Sequence, residues 1–138
     1  MANVPFSLIG LDHVVLRVSD MTSMIKFYCD TLGGTIEREV EEIGLVQLRL
    51  GCSLVDLVDV EGEIGRSGGA APGPGGRNLD HFCLRIEGFD ESTLKKYLTS
   101  CGVNIGEIGS RYGADGTGPS LYIDDPEGNQ IELKGSPN

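Results

Sequence analysis

The chain contains two histidines, His13 and His81, and each directly follows a Leu-Asp pair. Two carboxylates, Asp56 and Glu132, each stand between apolar residues further along. Two imidazoles and two carboxylates brought together would carry a large desolvation penalty unless a cation bound between them. This mixed nitrogen and oxygen set, without a thiolate, suits octahedral Ni, Co, Mn, Fe or Zn with water in the remaining positions. The four residues are therefore predicted ligands of one divalent metal ion.

An internal repeat supports this assignment. Residues 11–18 match residues 79–86 at an offset of 68, with five of the eight positions identical. The match continues past one inserted residue, and residues 55–57 then match residues 131–133 at an offset of 76. A lone histidine on a strand is usually an ordinary polar residue. Four polar residues at repeat-related positions favour a site.

Hydrophobic periodicity and turn signals predict the elements that position these ligands. Helices begin after Asp20 and Asp90, which can act as N-caps, and end at Gly33 and Gly102. Strands are predicted over residues 12–18, 35–40, 44–50, 53–60, 80–86, 103–108, 120–124 and 130–134. Each half is therefore a βαβββ module.

The predicted fold class is α+β, with the tandem modules forming a curved eight-stranded mixed sheet around a metal cleft. The length of 138 residues suits one domain over residues 1–138, made of module 8–60, module 79–134 and linker 61–78. Strand alternation turns the two histidines and two carboxylates away from the helices and toward the cleft.

Two glycine-rich segments are predicted to lack regular structure. The linker has seven glycines and two prolines in 18 residues, so we expect it not to fold on its own. Residues 109–119 are predicted as a loop. This loop could close over a substrate or bind an anion through backbone N–H groups, or it could be a solvated hairpin connection.

Composition narrows the functional classes. The net charge of −10, with 21 acidic against 11 basic residues, argues against nucleic acid and anionic membranes as partners. The sequence has no long apolar run and no recognisable signal peptide, so we expect a cytoplasmic protein. Four cysteines never form a Cys-x-x-Cys pair and are expected to be free thiols: Cys29, Cys52, Cys83 and Cys101.

The opening segment 11–18 and the closing segment 125–132 (Asp-Pro-Glu-Gly-Asn-Gln-Ile-Glu) resemble the vicinal oxygen chelate superfamily. This superfamily includes glyoxalase I, fosfomycin resistance proteins, extradiol dioxygenases and bleomycin-binding proteins. The resemblance covers nearly the whole chain. It implies the fold just described, but one fold hosts several activities.

Resemblance to bacterial glyoxalase I implies a ligand set of histidine, glutamate, histidine and glutamate. Here Asp56 takes the second position and is one methylene shorter, so it either binds less tightly, binds through water, or leaves a three-ligand site. The leading expectation is a glyoxalase-type lyase or isomerase acting on a small oxygen-chelating substrate such as a glutathione hemithioacetal. The metal would stabilise an enediolate, with Glu132 as the base and Asp56 as the second choice.

An anionic substrate of this kind would need local cations. Arg17, Arg85 and Arg111 are the candidates, with Tyr122 as a further substrate contact, although surface salt bridges would equally explain the arginines.

Three other functions share the fold. Two histidines and one carboxylate match the ligand set of non-haem iron dioxygenases. An epimerase acting beside a thioester carbonyl would use the same proton abstraction. A non-enzymatic binding protein of the bleomycin-resistance kind would use the same cleft, but such members generally lack the metal ligands.

Each module supplies only half of the ligand set, so a complete site needs a first module facing a second one. The linker is long enough for the two to belong to one chain or to two chains. Resemblance to bacterial glyoxalase I favours a two-fold homodimer with shared sites.

Overall fold

The computed structural model describes residues 3–137, and within them each half of the chain forms a βαβββ module. The first module contains β1 (His13–Val18), α1 (Met21–Lys26) with a π-helical turn (Phe27–Thr31), β2 (Thr35–Val40), β3 (Leu45–Leu50) and β4 (Ser53–Asp59). A short helix α2 (Glu63–Arg66) follows. The second module contains β5 (Phe82–Arg85), α3 (Glu91–Ser100), β6 (Ile105–Gly113), β7 (Gly116–Asp124) and β8 (Gln130–Lys134).

The eight strands form two four-stranded mixed sheets with the same topology. Their orders are β1-β4-β3-β2 and β5-β8-β7-β6. In each sheet the first strand of the module pairs in parallel with the last one, and the remaining pairs are antiparallel. The predicted α+β class with eight strands in tandem modules is confirmed, and those strands are divided between two sheets.

The helices begin and end where the sequence predicts. The Asp20 and Asp90 carboxylates accept hydrogen bonds from the backbone N–H groups of Ser23 and Thr93, which caps α1 and α3. Gly33, with φ of 82°, follows the π-helical turn after α1, and this left-handed conformation favours glycine.

One hydrophobic core joins the helix-facing sides of both sheets. Its fully buried members include Leu16, Leu57, Leu121 and Ile131, which come from strands of both modules. The opposite face of each sheet stays open in the single chain. Within the described part of the chain, no helix is long and apolar enough to cross a membrane.

A buried carboxylate, Asp125, connects the modules. It lies in the turn between β7 and β8 and accepts a hydrogen bond of 2.7 Å from the Tyr28 hydroxyl of the first module. Three further donors satisfy it, namely the backbone N–H of Glu127 and the backbone N–H and side-chain amide of Asn129. Burial, and then the charge of Asp125, raise the pKa of Tyr28, so the phenol remains a donor.

The prediction of a loop over residues 109–119 is wrong, because these residues belong to the long β6–β7 hairpin. Its turn contains only two residues, Ala114 and Asp115. Glycine weakens an isolated strand, but here the glycines allow close approach: a Cβ on Gly118 would lie 2.8 Å from the Ser136 carbonyl oxygen.

The linker is also more ordered than predicted. It contains α2, and the Arg17 guanidinium donates to the carbonyl oxygens of Gly65, Gly69 and Ala70. Glycine has no side chain that could pack against the rest of the protein, so these three hydrogen bonds hold the linker through its backbone. The linker is therefore fixed against β1 and is not a free coil.

The repeat offers a matched test of the buried connection, because Tyr28 and Tyr97 occupy equivalent helix positions. We expect Tyr28→Phe to lower the free energy of unfolding by about 1.5–3 kcal/mol, since a hydrogen bond to a buried charged group is lost. Tyr97 is 45% exposed and donates to the Thr31 carbonyl, so Tyr97→Phe should change it by less than about 0.5 kcal/mol. Urea unfolding of both variants provides the measurement, and equal losses would contradict the assignment.

Candidate metal centre

The first half-site consists of His13 and Asp56 on the open face of the first sheet. Parallel pairing of β1 with β4 places His13 beside Leu54, one row away from Asp56 on the same face. The His13 Nε2 atom lies 3.8 Å from Asp56 Oδ2. Nδ1 lies 2.6 Å from the Asp12 carboxylate, which fixes the orientation of the ring. That hydrogen bond, and then the charge of Asp56, raise the pKa of His13.

The second half-site, His81 and Glu132, repeats this geometry. His81 directly precedes β5, and its Nε2 atom lies 3.6 Å from Glu132 Oε1. Its Nδ1 atom lies 2.5 Å from the Asp80 carboxylate, and this bond lowers the pKa of Asp80. In both half-sites an aspartate therefore holds Nδ1 and leaves Nε2 directed toward the buried carboxylate.

The donor atoms fit a divalent cation. Two donors that each lie ~2.1 Å from one cation are separated by ~3 Å at a right angle and ~4 Å when opposite, which brackets the observed Nε2–oxygen distances. Asp56 is 5% exposed, and its buried Oδ1 atom has no hydrogen-bond partner among residues 3–137. The other oxygen, Oδ2, accepts a hydrogen bond of 3.1 Å from Gln47. A buried anionic oxygen without a donor indicates a missing positive group.

The four predicted ligands form two separate pairs in this chain. Among residues 3–137, no group of three or more His, Cys, Asp or Glu side chains is placed to hold a metal ion. Each half-site thus offers two candidate ligands on an open sheet face.

An apolar groove of about 270 Å³ lies elsewhere, at the helix ends, and is lined by residues such as Leu32 and Leu94.

The predicted substrate contacts have different surroundings. Arg111 lies over the Tyr122 ring, 4.5 Å from its centroid, and Tyr122 packs edge-on against His81 at 5.3 Å. These residues form a continuous row leading to the second half-site. Arg85 is paired with Asp115 at 2.6 Å. Arg17 instead holds the linker.

Sequence reasoning missed the residues that support the ligands. Asp12 and Asp80 orient the histidines, and their signal was the identical Asp-His pair in both repeats. Gln47 was not identifiable, because its contact with Asp56 depends on the register between β3 and β4. Cys83 lies beside Glu132 in the register of β5 and β8, where burial, and then the Glu132 charge, raise the pKa of its thiol to about 11.

Comparisons with known proteins agree with the fold. The model of the Glyoxalase/Bleomycin resistance protein/Dioxygenase superfamily matches residues 10–133, and the chain belongs to this superfamily. The virulence protein STM3117 of Salmonella typhimurium is 31% identical over 126 residues, which cover 89% of this chain and 81% of that protein.

Solved structures show the same architecture. The crystal structure of STM3117 has a TM-score of 0.70 at 25% identity, covering 96% of this chain and 100% of that one. Protein VPC_CASS1 from the mobile metagenome of V. pseudocholerae has a TM-score of 0.73 at 28% identity, covering 98% of this chain and 100% of that one. A point mutant of the fosfomycin resistance protein FosX of Listeria monocytogenes, crystallised with Mn(II) and 1S,2S-dihydroxypropylphosphonic acid, has a TM-score of 0.69 at 14% identity, covering 95% of this chain and 93% of that one. At this identity the likeness is one of fold.

The half-site geometry predicts which substitutions reduce metal affinity. We expect His13→Ala, His81→Ala and Asp56→Asn each to weaken binding of a divalent ion by ~10-fold or more, since loss of a ligand commonly has this effect. Asp59→Asn is the matched control, because Asp59 lies on the same strand but on the opposite face. Elemental analysis after dialysis and direct titration measure the affinity. Unchanged metal content in the three ligand variants would rule out the assigned centre.

Proposed function

We propose that the protein is a metal-dependent lyase or isomerase that moves a proton on a small substrate carrying two neighbouring oxygens. The paired geometry of the half-sites carries this proposal, because each half-site places a histidine Nε2 atom within 3.6–3.8 Å of a buried carboxylate oxygen, a spacing that suits a shared cation. A divalent ion held by His13, Asp56, His81 and Glu132 would polarise the substrate oxygens and acidify the adjacent C–H group. A glutathione hemithioacetal is one substrate of this kind.

We further propose that the complete centre is shared by two copies of the chain. His13 and Asp56 of one copy would face His81 and Glu132 of the other, since one chain does not gather the four. Strands β1 and β5, which lie beside the two half-sites, are both edge strands. Leu8, Ile9 and Leu11, which precede His13, are 89–104% exposed, and apolar surface of this kind is typical of an interface.

Glu132 is proposed as the base. Its carboxylate is 7% exposed and lies beside His81, with Tyr122 as its cross-strand neighbour on β7. Its low exposure and the Tyr122 ring beside it limit the contact of this carboxylate with bulk water. Asp56, held by Gln47, is more suitable as a fixed ligand.

The contacts of Asp56 favour this function over a dioxygenase. A three-ligand iron site would need only the two histidines and one carboxylate. Here the second carboxylate, Asp56, is buried and oriented by Gln47, and one of its oxygens has no partner among residues 3–137, which supports a fourth ligand.

We propose that the protein works in the cytoplasm, where a reducing environment would keep its four free cysteines as thiols.

The role of Glu132 can be separated from metal binding. We expect Glu132→Gln to reduce turnover far more than metal content, because the amide retains an oxygen but cannot accept a proton. A screen with methylglyoxal plus glutathione, acyl thioesters and catechols, together with elemental analysis, gives both measurements. Full activity in Glu132→Gln would remove it as the base, and oxygen uptake with ferrous iron would favour a dioxygenase.

Complementation tests the shared centre. A His13→Ala/Asp56→Ala chain and a His81→Ala/Glu132→Ala chain should each be inactive and bind little metal. After subunit exchange, each mixed dimer would contain one site with four intact ligands, so metal binding and activity should return. No recovery despite exchange, demonstrated by mass-tagged subunits, would favour sites built within single chains.

A further inference from the structure

Two cations lie side by side next to the second half-site. Arg85 on β5 and Lys134 on β8 are neighbours in the parallel register, one row along from Cys83 and Glu132 on the same face. Ser120, fully buried on β7, continues this row beside Lys134. We call Arg85, Lys134 and Ser120 together the cation row, after the two members that carry charge. Like charges on directly adjacent strand positions are unfavourable unless an anion lies near both.

Lys134 carries a largely buried positive charge. Lys134 is 4% exposed, and its Nζ atom donates to the Gly116 carbonyl oxygen at 2.9 Å. Across residues 3–137, no carboxylate comes within ion-pair distance of it. A buried charge normally has a partner, so this lysine indicates an anionic ligand.

A residue of the chain partly occupies the position that such a ligand would take. The turn of the β6–β7 hairpin reaches over the open face, where the Asp115 carboxylate pairs with Arg85 at 2.6 Å. The next residue, Gly116, provides the carbonyl that accepts from Lys134. Both cations are thus held by consecutive residues of one turn, and both partners in the Arg85–Asp115 pair are substantially exposed, so it is easily exchanged.

We propose that the cation row binds the acidic group of the substrate, a carboxylate, phosphonate or phosphate, and that Asp115 occupies this position until the substrate displaces it. Arg85 and Lys134 supply the charge, and the Ser120 hydroxyl, whose oxygen accepts a hydrogen bond of 2.6 Å from Arg111, supplies a further donor. The row gives the negatively charged protein a local positive field where an anion must enter.

The row also limits the size of the substrate, an inference that rests on the proposed role of Glu132. Two residues along a strand span about 6–7 Å. The acidic group would therefore lie about that distance from the carbon that loses its proton to Glu132. A small organic acid fits this spacing.

The anion site can be tested without the metal centre. Full-length protein, treated with a chelator, is titrated with propylphosphonate, with butyrate and with uncharged 1-butanol, and the amide resonances of Asp115 and Gly116 are followed by NMR. Lys134→Met should weaken binding of the acids by about 10-fold or more, since a charge-assisted hydrogen bond is lost. Asp115→Asn should tighten it several-fold because the internal competitor is removed. Lys96→Met, on the exposed surface of α3, is the control.

The two substitutions act in opposite directions, so a general loss of structure cannot imitate the expected pattern. Asp115 is in an exposed turn, and its replacement leaves the fold intact even if Lys134→Met does not fold. Unchanged affinity in Asp115→Asn, or equal binding of 1-butanol and the acids, would overturn the proposal. Because no metal is present, anion binding can succeed even if the proposed metal chemistry fails, and the reverse also holds.

Discussion

The buried carboxylate of Asp125 is the contact on which the arrangement of the modules depends. It accepts four hydrogen bonds, three from its own turn and one from Tyr28 of the first module. The neighbouring Glu127 carboxylate accepts the backbone N–H groups of Ser19 and Asp20 at 2.7–3.0 Å, at the start of α1. Loss of one donor would leave this buried charge less well satisfied, at a cost of about 1.5–3 kcal/mol, so the four bonds stabilise one another. The same turn sets the register of β8, which carries Glu132 and Lys134.

Strand alternation places the core-forming side chains and the candidate ligands on opposite faces of each sheet. On each sheet one face joins the common core, while the other carries an imidazole, a carboxylate and their supporting residues. Both histidines are oriented by the aspartate directly before them, because the duplication copied the Asp-His pair as a unit. Asp56 and Glu132 are buried on β4 and β8, next to the edge strands β1 and β5. Each carboxylate and its neighbouring histidine together supply only two of the four candidate ligands.

The two open faces have diverged although their backbones match. Beside Asp56 the first sheet presents Val15 and Gln47, whereas beside Glu132 the second presents Cys83 and Tyr122. One row further, Val58 in the first module corresponds to Lys134 in the second. The matching arginines also differ, because Arg17 donates hydrogen bonds to the linker whereas Arg85 pairs with Asp115 in the hairpin turn. The second face therefore presents Tyr122 and Lys134 at the positions where the first presents Gln47 and Val58.

The sequence by itself determined the modules, the helix caps and the face on which the four candidate ligands lie, because these follow from local periodicity and from an internal repeat. It could not determine which strands form the sheet edges or how the half-sites are placed relative to each other. Nor could it show that Tyr28 is buried and Tyr97 exposed, since the two occupy equivalent positions and differ only in whether the Asp125 turn lies beside them. The glycine-rich hairpin, the order of the linker and the burial of Lys134 depend on contacts between residues distant in sequence. Such contacts are decided by packing and electrostatics of the whole chain, and only the tertiary structure shows them.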